Sequence, residues 1–369
     1  MTQLNKVTNM KVVTIVGTRP EFIRLSEIIK KLDKYVNHIL VHTGQNFDYE
    51  MDEIFFKELS IRKPNYFMNS QADTPFKQIA VILEKTEDLL LKEKPDAVLI
   101  LGDTNSGLSA IVAKRLGIPV FHMEAGNRCY SDKVPEEINR RIIDSCSNIL
   151  LPYTQRSREQ LLREGYPPSK IFVIGNPIAE IIRTYYKKAD KSKVLESTGI
   201  GKNDKYVLVT MHRTENVDNP KIISELCEAL SIISKNYKVI VSTHPRTRKR
   251  LKKTRVDLND NLKFMKPFGF IDFLKLEISA CCIITDSGTV QEEATILSKP
   301  CILIRTSTER PELLEYGGVF MAGINKSDIL NSFEIALNLT NSNNVHLPVD
   351  YIDDVSDKIV KILMRYKNV

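Results

Sequence analysis

The chain has 369 residues, 42% of them hydrophobic, enough for two domains of ordinary size with sizeable cores. Its net charge of +7 suits an acidic small-molecule substrate, and its lysines are scattered rather than gathered in a nucleic-acid-sized stripe, so no nucleic-acid partner is expected. No apolar run reaches the roughly 18–20 residues of a membrane span. Residues 1–10 lack the charged-then-apolar layout of a secretory signal and read as a loose polar extension. Cys129, Cys146, Cys227, Cys281, Cys282 and Cys301 show neither a CxxC pair nor disulfide-like spacing, which points to a reducing cytoplasm.

Short β-rich apolar runs alternate with longer helical patterns, the sequence signature of an α/β fold with parallel sheets. Strands are expected at 11–16, 38–42, 66–67, 97–101, 120–123, 148–151 and 171–174, with a helix from residue 17–21 to about Leu32 and another over 104–116. A lysine-rich patch at 187–193 follows, and the alternation restarts with strands at 206–211, 239–242, 262–265, 282–285 and 301–304. The pattern predicts two Rossmann-like domains facing a cleft: an N-terminal domain over 1–180, a C-terminal domain over 200–350, and a hinge near 180–200. The final helix, 353–366, gathers Val355, Ile359, Ile362 and Leu363 on one face and is expected to pack back on the first domain.

The most informative stretch is 118–140. The run 120–123 ends in a polar loop carrying Glu124 and Arg128, and Pro135 then opens a helix bearing Glu136, Glu137, Asn139 and Arg140. Two separated acids and guanidinium groups thus stand at the carboxyl end of a strand, where open α/β sheets bind ligands. Gly17-Thr18-Arg19-Pro20 is a strand-to-helix turn suited to an anion, with Arg19 as a phosphate fork, but it is no GxGxxG fingerprint. Gly102 to Gly107 has P-loop glycine spacing, yet Leu108 replaces the phosphate-binding lysine, which leaves Asp103 as a strand-end acid or a helix cap. His122 and Glu124 are two apart in a strand and hence on one face, but no third ligand follows, so no metal is expected. In the second half His212-Arg213 and His244-Pro245-Arg246 follow strands. Ser287, Gly288 and Thr289 leave room for a phosphate, Thr289 with Glu292 has capping-box spacing, Glu293 is placed to reach ribose hydroxyls, and Arg310 precedes a proline at a helix entry. Together these loops suit a nucleotide-linked substrate with acid/base groups at its non-nucleotide end, and no cofactor.

Nine ordered motifs resemble the non-hydrolysing UDP-N-acetylglucosamine 2-epimerases, a family of GT-B-like fold. They are Gly-Thr-Arg-Pro-Glu at 17–21, Thr-Gly-Gln at 43–45, Gly-Asp-Thr at 102–104, His-Met-Glu-Ala-Gly at 122–126, Pro-Glu-Glu-Ile-Asn-Arg at 135–140, Gly-Asn-Pro at 175–177, His-Arg-Thr-Glu-Asn at 212–216, Asp-Ser-Gly at 286–288 and Thr-Glu-Arg-Pro-Glu at 308–312. The resemblance implies C2 inversion of a UDP-linked 2-acetamido sugar: UDP leaves C1 while a base takes the C2 proton, and UDP adds back to the glycal after reprotonation on the other face. It implies Asp103, Glu124, Glu136 and His212 as catalytic groups. It places Arg19, Ser287, Gly288, Thr289 and Glu293 at the UDP, with Arg128, Arg140, His244 and Arg310 as further expected ligands of the substrate or its UDP, and implies a homodimer.

The departures from the family pattern are Asn127 and Cys129 around Arg128, a shorter 124–136 segment, Asn46 after Thr-Gly-Gln, and Thr289 in place of a second glycine. The first two resemble the capsule and O-antigen branch that acts on UDP-6-deoxy-L-hexosamines and forms UDP-N-acetyl-L-fucosamine from UDP-2-acetamido-2,6-dideoxy-L-talose. That substrate is the expectation. The alternatives are UDP-GlcNAc to UDP-ManNAc epimerisation, a hydrolysing epimerase, a GT-B glycosyltransferase and a UDP-sugar sensor.

Overall fold

The computed structural model describes residues 8–45, 49–131, 134–243, 245–251, 259–339, 347–351 and 354–366. Residues 1–7 of the N-terminal extension, Asn46, His244 and Asp353 therefore lie outside the described residues. Met10, read above as part of that extension, is buried, and its carbonyl accepts the Asn37 amide at 2.8 Å.

Twelve apolar runs form two parallel sheets among the described residues. The first contains β1 (Lys11–Val16), β2 (Asn37–His42), β3 (Tyr66–Phe67), β4 (Ala97–Leu101), β5 (Val120–Met123) and β6 (Ile149–Leu151), in the order β3-β2-β1-β4-β5-β6. The second contains β7 (Tyr206–Thr210), β8 (Lys238–Ser242), β9 (Leu262–Met265), β10 (Cys282–Thr285), β11 (Cys301–Leu303) and β12 (Val319–Met321), in the order β12-β11-β10-β7-β8-β9. Read from its other edge, the second order repeats the first. β1, β4, β5 and β7 are buried almost throughout, as helices on both faces of a parallel sheet require. In each sheet the strand order reverses at one place, between β1 and β4 and between β7 and β10, and there the helices leave to opposite faces and open a crevice at the carboxyl ends.

The structure departs from the sequence pattern at three places. Residues 171–174 are not a strand: Phe172 and Ile174 donate to the carbonyls of Leu150 and Pro152, but Pro152 has no N–H to return, and pairing stops at one bridge. Between Gly318 and Gly323, β12 forms as a short edge strand that the pattern did not announce. The expected 104–116 helix begins as a 3₁₀ turn, Asn105–Leu108, before continuing as Ser109–Arg115.

The chain divides into one unit of residues 1–181 with 349–369 and a second of 182–348. The helix Val355–Arg365 belongs to the first unit and packs on the helix Arg19–Tyr35, where Lys31 Nζ lies 2.7 Å from Asp357 Oδ1. Its Ser356 amide donates to Glu180 Oε2 at 2.9 Å in a buried setting.

Candidate active site

Parallel register brings the ends of β4 and β5 level, since Leu101 pairs with Met123, so Gly102 and Glu124 emerge side by side. Glu124 leaves the strand at a φ of 68°, in the left-handed region that residues with side chains rarely adopt. Strand alternation therefore ends at Met123, and His122 and Glu124 do not share a face. His122 is buried instead, with Nδ1 2.8 Å from Asp144 Oδ1 and Nε2 donating to the Gly102 carbonyl at 2.9 Å. It fastens the turn that presents Asp103. The Glu124 carboxylate, beside Gly102, accepts Arg24 Nη1 at 3.3 Å and Asn127 Nδ2 at 3.2 Å.

Asp103 is clasped by Arg140, which reaches back from the helix Pro135–Cys146 and donates to Oδ2 through Nε at 3.1 Å and Nη2 at 2.5 Å. Asn139 donates to the Asp103 carbonyl at 2.9 Å. The same helix separates the two acids of Pro-Glu-Glu. Glu137 is wholly buried and accepts Cys129 N at 2.9 Å, Tyr130 N at 3.2 Å, Arg140 Nη1 at 2.6 Å and Arg141 Nη2 at 2.9 Å. Burial alone would raise its carboxyl, but the Cys129 amide and Arg140 outweigh burial and hold it below the ordinary range. Glu136, one residue earlier in the first helical turn, is exposed.

In the Gly17–Arg19 turn two backbone amides are used within the chain. The Gly17 and Thr18 amides donate to Glu21 Oε2 at 2.5 and 3.2 Å, and Thr104 Oγ1 donates to Glu21 Oε1 at 2.6 Å. Glu21 thus ties together the loops on either side of the β1/β4 reversal, and burial pushes its carboxyl up to about 7. The Arg19 guanidinium lies over the Phe55 ring, 5.7 Å from its centroid. Arg128 is buried, with Nε and Nη2 donating to Glu164 at 2.8 and 2.6 Å, Nη2 lying 2.8 Å from Asp144 Oδ2, and Nη1 donating to the Asn127 carbonyl. Its donors brace the Glu124 loop.

In the second unit, Thr285 of β10 is level with Thr210 of β7, so the Asp286 and His212 turns meet at the reversal of that sheet. Buried Asp286 accepts the amides of His212 at 3.1 Å and Arg213 at 3.0 Å and the Asn216 Nδ2 at 3.2 Å. His212 Nδ1 is 3.3 Å from the same carboxylate, while its side chain is 48% exposed. Beyond Asp286, the Ser287 hydroxyl accepts the amides of Thr289 and Val290 at 3.2 and 3.4 Å, so Ser287 rather than Thr289 caps the helix Val290–Ile296. The Thr289–Glu292 capping box does not form, because Glu292 accepts Arg310 Nε at 2.5 Å. Arg310 is buried in that pair. A Cβ at Gly288 would lie 2.6 Å from Glu309 Oε1, so a side chain there would require that carboxylate to shift. Glu293 is buried on the next turn of the helix.

The family model for UDP-N-acetylglucosamine 2-epimerase matches residues 30–364. The chain belongs to this family. Its members are isomerases, and the two parallel six-stranded units have the GT-B-like organisation of its solved structures. A UDP-N-acetylglucosamine 2-epimerase of Methanocaldococcus jannaschii is 42% identical, over 89% of this chain and 93% of the relative. A crystal structure of the M. jannaschii UDP-GlcNAc 2-epimerase in complex with UDP-GlcNAc and UDP superposes with a TM-score of 0.89 at 40% identity, covering 96% of this chain and all of that one. A Pseudomonas aeruginosa UDP-2,3-diacetamido-2,3-dideoxy-D-glucuronate 2-epimerase is 36% identical over 90% of this chain and 93% of its own length.

Within this epimerase fold, sequence reasoning passed over Arg24, Asp144, Glu164 and Glu309, all of which hold the loops in place. Arg24 could have been found as a charge amid the apolar stripe Phe22, Leu25, Ile28 and Ile29. Asp144 continues the buried polar row Glu137 and Arg140 at helical spacing.

Proposed function

We propose that this epimerase inverts C2 of a UDP-linked 2-acetamido sugar without hydrolysis, by eliminating UDP and adding it back. The C2–H bond has no neighbouring carbonyl to acidify it. Proton removal is therefore coupled to departure of UDP from C1: the C2–H electrons form the C1–C2 double bond of a glycal as the C1–O electrons leave with the diphosphate. Reprotonation on the opposite face and return of UDP complete the inversion. Such a swap calls for acid/base groups on both faces of a flat intermediate, and these are assigned to Asp103, Glu124 and Glu136. His212, oriented by Asp286, and the Ser287–Thr289 turn are assigned to the UDP, where donors stabilise the departing charge. Glu293 is assigned to the ribose hydroxyls. Arg19 is assigned to the diphosphate. Arg128, Arg140 and Arg310 act through the carboxylates they hold.

The observation that carries this reading is that the three candidate acids of the first unit stand in different settings. Asp103 is clasped by Arg140, Glu124 sits against Arg24 and Asn127, and Glu136 is exposed. Carboxylates in unlike environments are suited to unlike proton-transfer roles.

UDP-N-acetylglucosamine, giving UDP-N-acetylmannosamine, is the substrate best supported, because relatives near 40% identity along almost the whole chain bear that name. The 6-deoxy-L-hexosamine reading rests on Asn127 and Cys129 around Arg128 and on the shorter 124–136 segment. Both side chains are engaged within the protein: Asn127 bridges Glu124 and Ser157, and the Cys129 thiol points to Glu137 Oε2 at 3.3 Å. Those bonds give each of the two side chains a role inside the protein. Incubation with each UDP-sugar in D2O, followed by NMR at C2, tests the proposal. Deuterium at C2 of a UDP-linked product is expected, with UDP-GlcNAc the better substrate. Asp103→Asn and Glu136→Gln are expected to abolish exchange while UDP still binds. Release of free sugar, transfer to an acceptor, or undiminished exchange in either variant overturns it.

A further inference from the structure

The Asp103 loop is held by Arg140 on its carboxylate and by a line of neutral amides on its backbone. The line starts at Gln78, in the first turns of the helix Pro75–Glu93, whose entry is fixed by Thr74 Oγ1 accepting the Lys77 amide at 3.2 Å. Gln78 Oε1 accepts Asn105 Nδ2 at 3.0 Å, and Asn105 Oδ1 accepts Asn139 Nδ2 at 3.2 Å. The same Asn139 Nδ2 donates to the Asp103 carbonyl at 2.9 Å. At its other end Gln78 Nε2 donates to the Gln45 carbonyl at 3.2 Å, while Gln45 Oε1 accepts the Ser106 amide and hydroxyl at 3.2 and 3.1 Å. The Asn105–Leu108 turn is therefore tied to Gln78 twice, once through Asn105 and once through Gln45.

In Gln78 and Asn105 the NH2 group serves one neighbour and the oxygen the other. Turning either amide around would set like groups face to face, so the line has one favoured arrangement and acts as a unit. Asn139 is buried, whereas Asp103 follows the carboxyl end of β4 at the sheet reversal with 25% of its side chain exposed. We propose that Gln78 is a positioning residue for the epimerisation: through Asn105 and Asn139 it sets the backbone from which the Asp103 carboxylate is presented. This rests on the assignment of Asp103 to proton transfer. Two amides stand between Gln78 and the Asp103 carbonyl, and none of the three brings a charge to the site. Misplacing a proton-transfer group slows the chemical step more than it weakens substrate binding.

The test is a double-mutant cycle on the full chain, read as kcat and KM for C2 deuterium exchange with the UDP-sugar that wild type accepts. Gln78→Met keeps the length of the side chain and removes both of its hydrogen bonds. Its kcat is expected to fall about tenfold, with KM within about twofold of wild type. In an Asn139→Leu background, where the line is already cut beside Asp103, the same substitution is expected to cost less than about twofold. A merely structural part in the Pro75–Glu93 helix would cost the same in both backgrounds. Equal costs, an unchanged kcat, or a rise in KM alone overturns the proposal. Asn105→Ala, which cuts the line at its middle link, replaces either variant that does not fold. Asp103→Asn is measured beside them. Exchange abolished there but untouched in Gln78→Met removes the relay and leaves the acid assignment standing. Undiminished exchange in Asp103→Asn instead removes that assignment and the proposal with it.

Discussion

Glu136 and Glu137 are neighbours in sequence and opposites in structure, and their amides should behave accordingly. Glu137→Gln removes a buried charge that Arg140 Nη1 and Arg141 Nη2 contact at 2.6 and 2.9 Å and that two backbone amides of the Cys129–Tyr130 turn also use. Removing one partner of a buried ion pair costs about 3–5 kcal/mol. Arg140 retains Asp103, and Arg141 is half exposed, so the lower end, about 3 kcal/mol, is expected. For a unit of about 200 residues this lowers Tm by roughly 6–12 °C. The variant should also lose activity in part, because the arginine that clasps Asp103 is released on one side. Glu136→Gln alters an exposed carboxylate and should stay within about 0.5 kcal/mol, or roughly 2 °C, of wild type. It should nevertheless abolish C2 exchange. Scanning calorimetry and D2O exchange on the two proteins measure both quantities. A Glu137→Gln protein that melts within 2 °C of wild type, or a Glu136→Gln protein that melts as low as Glu137→Gln, refutes the division of labour.

Glu21 makes stability depend on pH. Burial raises its carboxyl from 4.5 to about 7, so between these values the unfolded chain ionises while the folded one keeps its proton, and stability falls by on the order of 3 kcal/mol as pH rises. Urea unfolding of wild type and Glu21→Gln at pH 4.5 and 7.5 should show the wild-type advantage shrinking by that amount; an equal difference at both pH values rules this out. Gly288→Ala would place a methyl 2.6 Å from Glu309 Oε1, and a cost of about 1–3 kcal/mol in the second unit with weakened UDP binding is expected from urea unfolding and titration calorimetry. Cys129→Thr keeps a side-chain donor for Glu137, and steady-state assays should find its preference among UDP-sugars unchanged; a reversal would show that residue 129 reads the sugar.

The alternation of β-branched runs and helical periods was enough to anticipate the class, because a strand buried on both faces has a composition unlike any loop. Where the reading went wrong, the cause is a single backbone group or a distant partner. Pro152 ends the ladder to 171–174 for want of one N–H, and no local composition reveals which strand lies across from it. At the site, residue type and spacing located the loops but not the direction of their side chains. Strand alternation puts Glu124 on one face with His122, yet its φ of 68° turns it out of the strand. Arginines were read as anion ligands, since a surface guanidinium in a glycine-rich loop commonly is one. Three of those, Arg128, Arg140 and Arg310, donate to Glu164, Asp103 and Glu292. A loop that must present a carboxylate at a strand end needs a cation to fix it, and sequence shows the cation without showing which acid it serves.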